Sequence, residues 1–187
     1  AALHARFLGV AGDGLWRTGT YWHLATRPDE LAAIADPALR RLAPRLDRAL
    51  AQARFQTIVH GDAKPANFCF DPGSAAVAAV DFQYAGRGPG VRDVAYLVAC
   101  QRTVDHGLEA RQLDSYFGHL RAAVARRRDD VDLDALEGEW RALYPIAGAD
   151  FYRFLAGWSK EEYARDAHGR RLIDEATRSI ALRPDAS

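Results

Sequence analysis

Apolar positions recur along the chain with two periods, one helical and one extended. Leu113, Tyr116, Phe117, Leu120 and Val124 fall at i, i+3, i+4, i+7 and i+11, and Phe151, Phe154, Leu155 and Trp158 repeat the first four offsets. Each series lays one apolar stripe along a helix, and such a stripe packs into a core. Residues 1–8 also read as helix. From Pro28 to about Ala53 leucines, alanines and arginines predict two or three helical pieces, interrupted at Pro37 and Pro44. Phe55-Gln56-Thr57-Ile58-Val59, Phe68-Cys69-Phe70 and Val77-Ala78-Ala79-Val80 are short β-rich runs, the last two joined by the turn Asp71-Pro72-Gly73. Tyr21-Trp22-His23-Leu24 reads as a further short strand, and four glycines within residues 9–19 predict a loop or hairpin. Beyond Gly90 the pattern is helical to the end. The fold class expected is α+β, mostly α, with one small β cluster at its middle.

Composition narrows the partners. With 187 residues, 49% hydrophobic and 27% charged, the chain has the make-up of one globular domain. Twenty-five basic residues balance twenty-five acidic ones. No global field therefore draws in nucleic acid or an anionic membrane, and no apolar run is long enough to span a bilayer. Cys69 and Cys100 make neither a disulfide framework nor a zinc pattern. Cys69, between two phenylalanines, is expected to be a buried reduced thiol, and a cytoplasmic location is expected. The six histidines show no metal-binding spacing on a helix face. Methionine is absent even at position 1, which suggests a piece of a longer chain, and Lys64 and Lys160 are the only lysines.

The chemistry concentrates between Val59 and Asp93. Two acidic residues, an amide and one of the two lysines lie there on loops at the ends of short strands: Asp62, Lys64, Asn67 and Asp81. Phosphoryl transfer needs such a set, with a carboxylate to take the hydroxyl proton, oxygen ligands for a metal and a cation near the phosphates. The pattern His-x-Asp-x-Lys-Pro-x-Asn followed by Asp-Phe has the internal spacing of a kinase catalytic loop and its metal-binding segment.

His60-Gly61-Asp62-Ala63-Lys64-Pro65-Ala66-Asn67-Phe68 with Ala79-Val80-Asp81-Phe82-Gln83-Tyr84 resembles the aminoglycoside phosphotransferase and choline kinase superfamily. Within it the segment looks closest to the ecdysteroid-kinase-like branch, and Gly88-Pro89-Gly90-Val91-Arg92-Asp93-Val94-Ala95-Tyr96 continues the likeness. The resemblance implies a protein-kinase-like fold, ATP and Mg2+ as cofactors, and a small-molecule alcohol as acceptor. It makes Asp62 the base, Asn67 and Asp81 the magnesium ligands, and Lys64 a catalytic-loop lysine near the γ-phosphate. It makes His60 and Gly61 structural supports. Asp93, at the head of a helix, is either an N-cap or a brace for the catalytic loop, or both. The run Gly86-x-Gly88-x-Gly90 trails the metal aspartate, so it is expected to be a hinge or turn leading into the next helix and not a phosphate loop.

The likeness covers residues 1–187 as the C-terminal lobe alone. Nothing before His60 looks like a glycine-rich nucleotide cover, and no lysine precedes Lys64. An N-terminal nucleotide-binding lobe of the same longer chain is expected, and the 187 residues by themselves are expected to bind ATP poorly and turn over little. A protein kinase is the second reading, opposed by the eleven residues between Asp81 and Asp93 and by the lack of Ala-Pro-Glu after them. A non-catalytic binding module is the third. For the acceptor, Trp140, Tyr144, Phe151, Tyr152, Phe154 and Trp158 are either a ring-binding wall or core. Asp129, Asp130, Asp132 and Asp134 are either a site for a polycation or a loop and helix start.

Overall fold

The computed structural model describes residues 1–74, 76–101 and 105–182. Its helices are α1 (Ala2–Arg6), α2 (Pro28–Ala33), α3 (Pro37–Ala51), α4 (Val91–Ala99), α5 (His106–Ala125), α6 (Leu133–Trp158), α7 (Lys160–Arg165) and α8 (Ala167–Ala181). The strands are β1 (Thr57–Val59), β2 (Phe68–Phe70), β3 (Val77–Ala79) and β4 (Gly86–Gly88). The fold is α+β and mostly α. Among the described residues no helix is long and apolar enough to cross a membrane.

The 26-residue α6 is the axis of the core and packs on α2, α3, α4 and α8. Trp140, Tyr144, Phe151, Tyr152 and Phe154 are all buried along it, so the core reading of these rings holds. Trp158 ends the same helix with 62% of its surface exposed, because the stripe there runs past the packed layer. Pro37 opens α3, where its missing N–H costs nothing and Asp36 caps the turn by accepting from the Ala38 amide at 2.7 Å. Pro44 lies inside α3 without dividing it. It sits on the exposed face, where water can reach the carbonyl that proline leaves without a donor.

One fully buried ion cluster ties three elements together. Asp150 on α6 accepts from Arg153 at 3.2 and 3.0 Å, from Arg92 on α4 at 3.2 Å and from the Trp22 indole at 3.0 Å. Arg153 also donates to the Trp22 carbonyl at 2.9 Å. Buried charges survive only when paired in this way.

Three expectations about local structure are corrected. Tyr21 to Leu24 forms turns and no strand, since its amides and carbonyls go to Gly61, Arg27 and Arg153 and not to a neighbouring strand. Gly86–Gly88 is a strand and not a hinge, pairing antiparallel with β1 in the register Thr57↔Gly88, Ile58↔Arg87, Val59↔Gly86. Gly86 has to lack a side chain: a Cβ there would collide with the Trp16 carbonyl, which crosses directly over it. Cys69 is exposed, because the β2–β3 pair turns one side outward and no element covers it. Of the segment predicted helical beyond Gly90, residues 102–104 and 183–187 lie outside the described residues.

Candidate active site

The two antiparallel pairs place the loops. β1 runs directly into His60-Gly61-Asp62, a 3-10 turn over Pro65–Asn67 follows, and β2 and β3 form a hairpin that returns the chain to Val80 and Asp81. Asp71 closes that hairpin, accepting from the Gly73 amide at 3.0 Å and from the Ser74 hydroxyl at 2.7 Å. β4 then pairs back on β1, so both loops leave the same small frame.

Asp62, Lys64 and Asn67 meet directly. Asp62 is 3% exposed. Its Oδ2 accepts from Lys64 Nζ at 2.8 Å and from Asn67 Nδ2 at 3.0 Å, and its carbonyl accepts from the same amide nitrogen at 2.8 Å. Its Oδ1 is buried and has no hydrogen-bond partner. The hydrogen bond to Asp62 holds the Lys64 ammonium above its ordinary pKa of 10.5, with a further contribution from the nearby charge of Asp81. Lys64 is therefore a fixed cation at neutral pH, with its head partly in solvent.

Asp81 stands beside this group. The Val80 amide donates to the Asn67 carbonyl at 3.0 Å, and His60 Nε2 donates to the Val80 carbonyl at 2.9 Å, so the residue before Asp81 is clamped to the loop that carries Asp62. Asp81 itself adopts φ 64, a left-handed backbone that aspartate tolerates better than most residues. Its carboxylate is exposed and makes no hydrogen bond or ion pair among the described residues. Because Asn67 Nδ2 is fully used on Asp62, its Oδ1 is left as a free acceptor. The Asp81 carboxylate and the Asn67 amide oxygen are the donor types that a hard divalent cation such as magnesium takes, and it takes few protein ligands. No group of three or more His, Cys, Asp and Glu is gathered among the described residues.

The supporting residues are in place as well. Asp93 lies inside α4 and is not its N-cap, a position that Gly90 takes. The Asp93 carboxylate accepts from the His60 amide at 2.7 Å and the Gly61 amide at 3.0 Å, which is the bracing geometry. Burial pushes this carboxyl up, but the His4 imidazole and the two amides more than offset it and hold it below the usual carboxylate range. The His60 Nδ1 accepts from the Asp62 amide at 3.3 Å while Nε2 donates to Val80, which assigns a neutral ring. That ring packs against Phe82 at 4.5 Å and Phe68 at 5.9 Å. Gly61 has φ +80, and Tyr84 O lies so close that any Cβ on Gly61 would strike it. Only glycine fits there.

Sequence reasoning missed His4, Tyr116, Trp16, Tyr21 and Tyr84 as neighbours of the site. His4 bonds Asp93 at 3.0 Å and Tyr116 at 2.8 Å. An apolar cavity of about 250 Å³ opens beside them, lined in part by Leu3, His60, Phe82 and Leu97. The aspartates of residues 129–134 serve elsewhere: Asp132 caps α6, Asp134 pairs with Arg121 at 2.7 Å and Asp130 with Arg128 at 2.6 Å.

The model of one protein family, described as the phosphotransferase enzyme family, matches residues 1–130. No curated protein matches the chain, and no solved structure does.

Proposed function

Because the chain belongs to the phosphotransferase enzyme family, we propose that it moves the γ-phosphoryl group of ATP to a hydroxyl of a small-molecule alcohol, with Asp62 as the base. The observation that carries this reading is the unpartnered Oδ1 of Asp62, buried beside an Oδ2 that Lys64 and Asn67 hold in place. A carboxylate positioned at a hydroxyl can take its proton as a general base. Oδ1 receives the proton of the acceptor hydroxyl as that oxygen bonds to phosphorus and the bond to the leaving ADP oxygen breaks. Lys64 and Asn67 fix the carboxylate by its other oxygen, so the proton acceptor does not rotate away.

Asn67 Oδ1 and the Asp81 carboxylate would hold magnesium, which when bound neutralises phosphate charge during transfer. Asp93 keeps the loop at its height through His60 and Gly61. The likeness of residues 60–68 and 79–84 to ecdysteroid-kinase-like enzymes supports a small alcohol as the acceptor.

The test is phosphoryl transfer from labelled magnesium-ATP to a panel of alcohols, using the longest form that the coding sequence provides, beside Asp62→Asn. Loss of a general base lowers turnover by about 100-fold or more. Transfer by the variant near the parent rate removes Asp62 from the role.

A further inference from the structure

An exposed indole and two half-buried tyrosine rings are held still beside the loop of Asp62. Trp16 is 48% exposed, yet its indole Nε1 donates to the Gln83 carbonyl at 2.7 Å. Its amide donates to Ala85 O at 3.1 Å, and its carbonyl accepts from the Arg87 amide at 3.1 Å. The indole stacks on Tyr84 with 6.4 Å between centroids and 28° between planes, and Tyr84 meets Tyr21 at 5.9 Å. Both tyrosines bear on the residue before Asp62: the Tyr84 carbonyl presses on Gly61, and the Tyr21 amide donates to Gly61 O at 3.1 Å. A half-exposed indole fixed in this way has already lost the freedom that a ligand would otherwise have to remove.

The surrounding charge selects among ring-bearing ligands. The Arg27 guanidinium stands 6.0 Å from the Tyr21 ring centroid and is paired with Glu30 at 3.9 Å. That ring already has its cation, and an ammonium laid on it would meet a like charge. Arg87, on β4 beside Trp16, is exposed as well. The negative groups nearby, Asp62 and Asp81, are assigned to the reacting centre itself.

We propose that Trp16, Tyr84 and Tyr21 form the platform on which the acceptor lays an uncharged ring, making the acceptor a neutral ring-bearing alcohol. This rests on the reading of Asp62 as the base of a phosphotransferase. The buried, unpartnered Oδ1 of Asp62 is then the group that meets the hydroxyl while the ring is held outside.

Calorimetric titration of the full chain with 2-(2-naphthyl)ethanol, choline and glycerol tests it. Naphthylethanol should bind more tightly than the other two. Trp16→Ala should weaken it about tenfold, the value of one good aromatic contact, and Trp16→Phe should restore most of the loss. Trp158→Ala, which removes a more exposed indole stacked instead on Phe154 at 5.6 Å, should leave binding within about twofold. No binding of naphthylethanol, equal affinity in Trp16→Ala, or a preference for choline overturns the platform. Binding is read without phosphoryl transfer, which separates the two claims. Phosphorylation of choline or glycerol with no Trp16-dependent binding overturns the platform and keeps the reaction. Trp16-dependent binding without transfer to any alcohol, by the longest form of the chain, keeps the ring site and overturns the reaction.

Discussion

His4 and Asp93, 89 positions apart, meet through a 3.0 Å bond between Nε2 and Oδ2 deep in the protein. A carboxylate can only accept, so Nε2 carries the proton, and the Tyr116 hydroxyl, at 2.8 Å, donates to Nδ1. One chain of bonds thus runs from α5 through α1 to α4 and ends on the amides of His60 and Gly61. The position of the candidate base is set by residues that never touch it.

Removing the Asp93 carboxylate should be severe. Asp93→Ala strands the His4, His60 and Gly61 donors in a dry interior and is expected to cost about 3–5 kcal/mol. Asp93→Asn keeps one acceptor oxygen and should cost less. Urea denaturation of both variants measures the difference, and a shift in midpoint at constant slope identifies it as stability.

Acid should weaken the fold in two stages. Burial lowers the His4 and His168 imidazoles below the ordinary 6.5. The unfolded chain then takes up protons first, so this stability is complete above 6.5 and declines as pH falls from 6.5 toward the folded pKa. The Asp93 carboxyl is shifted below its ordinary 3.8. Its contribution is present above 3.8 and lost as pH falls through the lowered folded value. Melting temperature should fall from about pH 7 to about pH 5, and His4→Gln should flatten that limb. Equal melting temperatures across it would contradict the assignment of neutral buried imidazoles.

Two glycines with the same backbone angle should respond differently to alanine. Gly61 and Gly14 both have φ +80, but a Cβ on Gly61 collides with Tyr84 O while one on Gly14 meets nothing within 4 Å. Gly14→Ala carries only the conformational cost, about 1 kcal/mol. Gly61→Ala adds a backbone clash and should cost about 3 kcal/mol or more. Thermal denaturation followed by circular dichroism ranks the pair.

Asp150 is the hub of the buried charges. Asp150→Ala leaves Arg92 and Arg153, which are 2% and 0% exposed, short of their shared anion. A loss of about 3–5 kcal/mol is expected. Arg41→Ala, on the exposed face of α3, provides the comparison and should stay within about 1 kcal/mol. If the two variants unfold at the same urea concentration, the cluster does not hold α4 to α6.

The candidate site was legible because its chemistry is local: Asp62, Lys64 and Asn67 lie within six residues and bond to one another. The α6 core was legible for the same reason, from the spacing of Phe151 and Phe154. β4 was hidden because glycine disfavours strands, and its presence follows from the Trp16 backbone crossing Gly86, a contact no local pattern encodes. The Tyr21 segment misled in the opposite sense, having aromatic strand composition but no strand beside it to pair with. His4 sits in an ordinary apolar helix, and only the folded chain brings it to Asp93.

The two oxygens of Asp62 differ in kind: one is saturated by an ammonium and an amide, the other is bare. A freely rotating carboxylate could turn either oxygen to any hydroxyl that came near, but this one presents a fixed oxygen. With Asp62 as the proposed base, an acceptor with several hydroxyl groups is expected to be phosphorylated at one of them, since Lys64 and Asn67 fix which oxygen receives the proton.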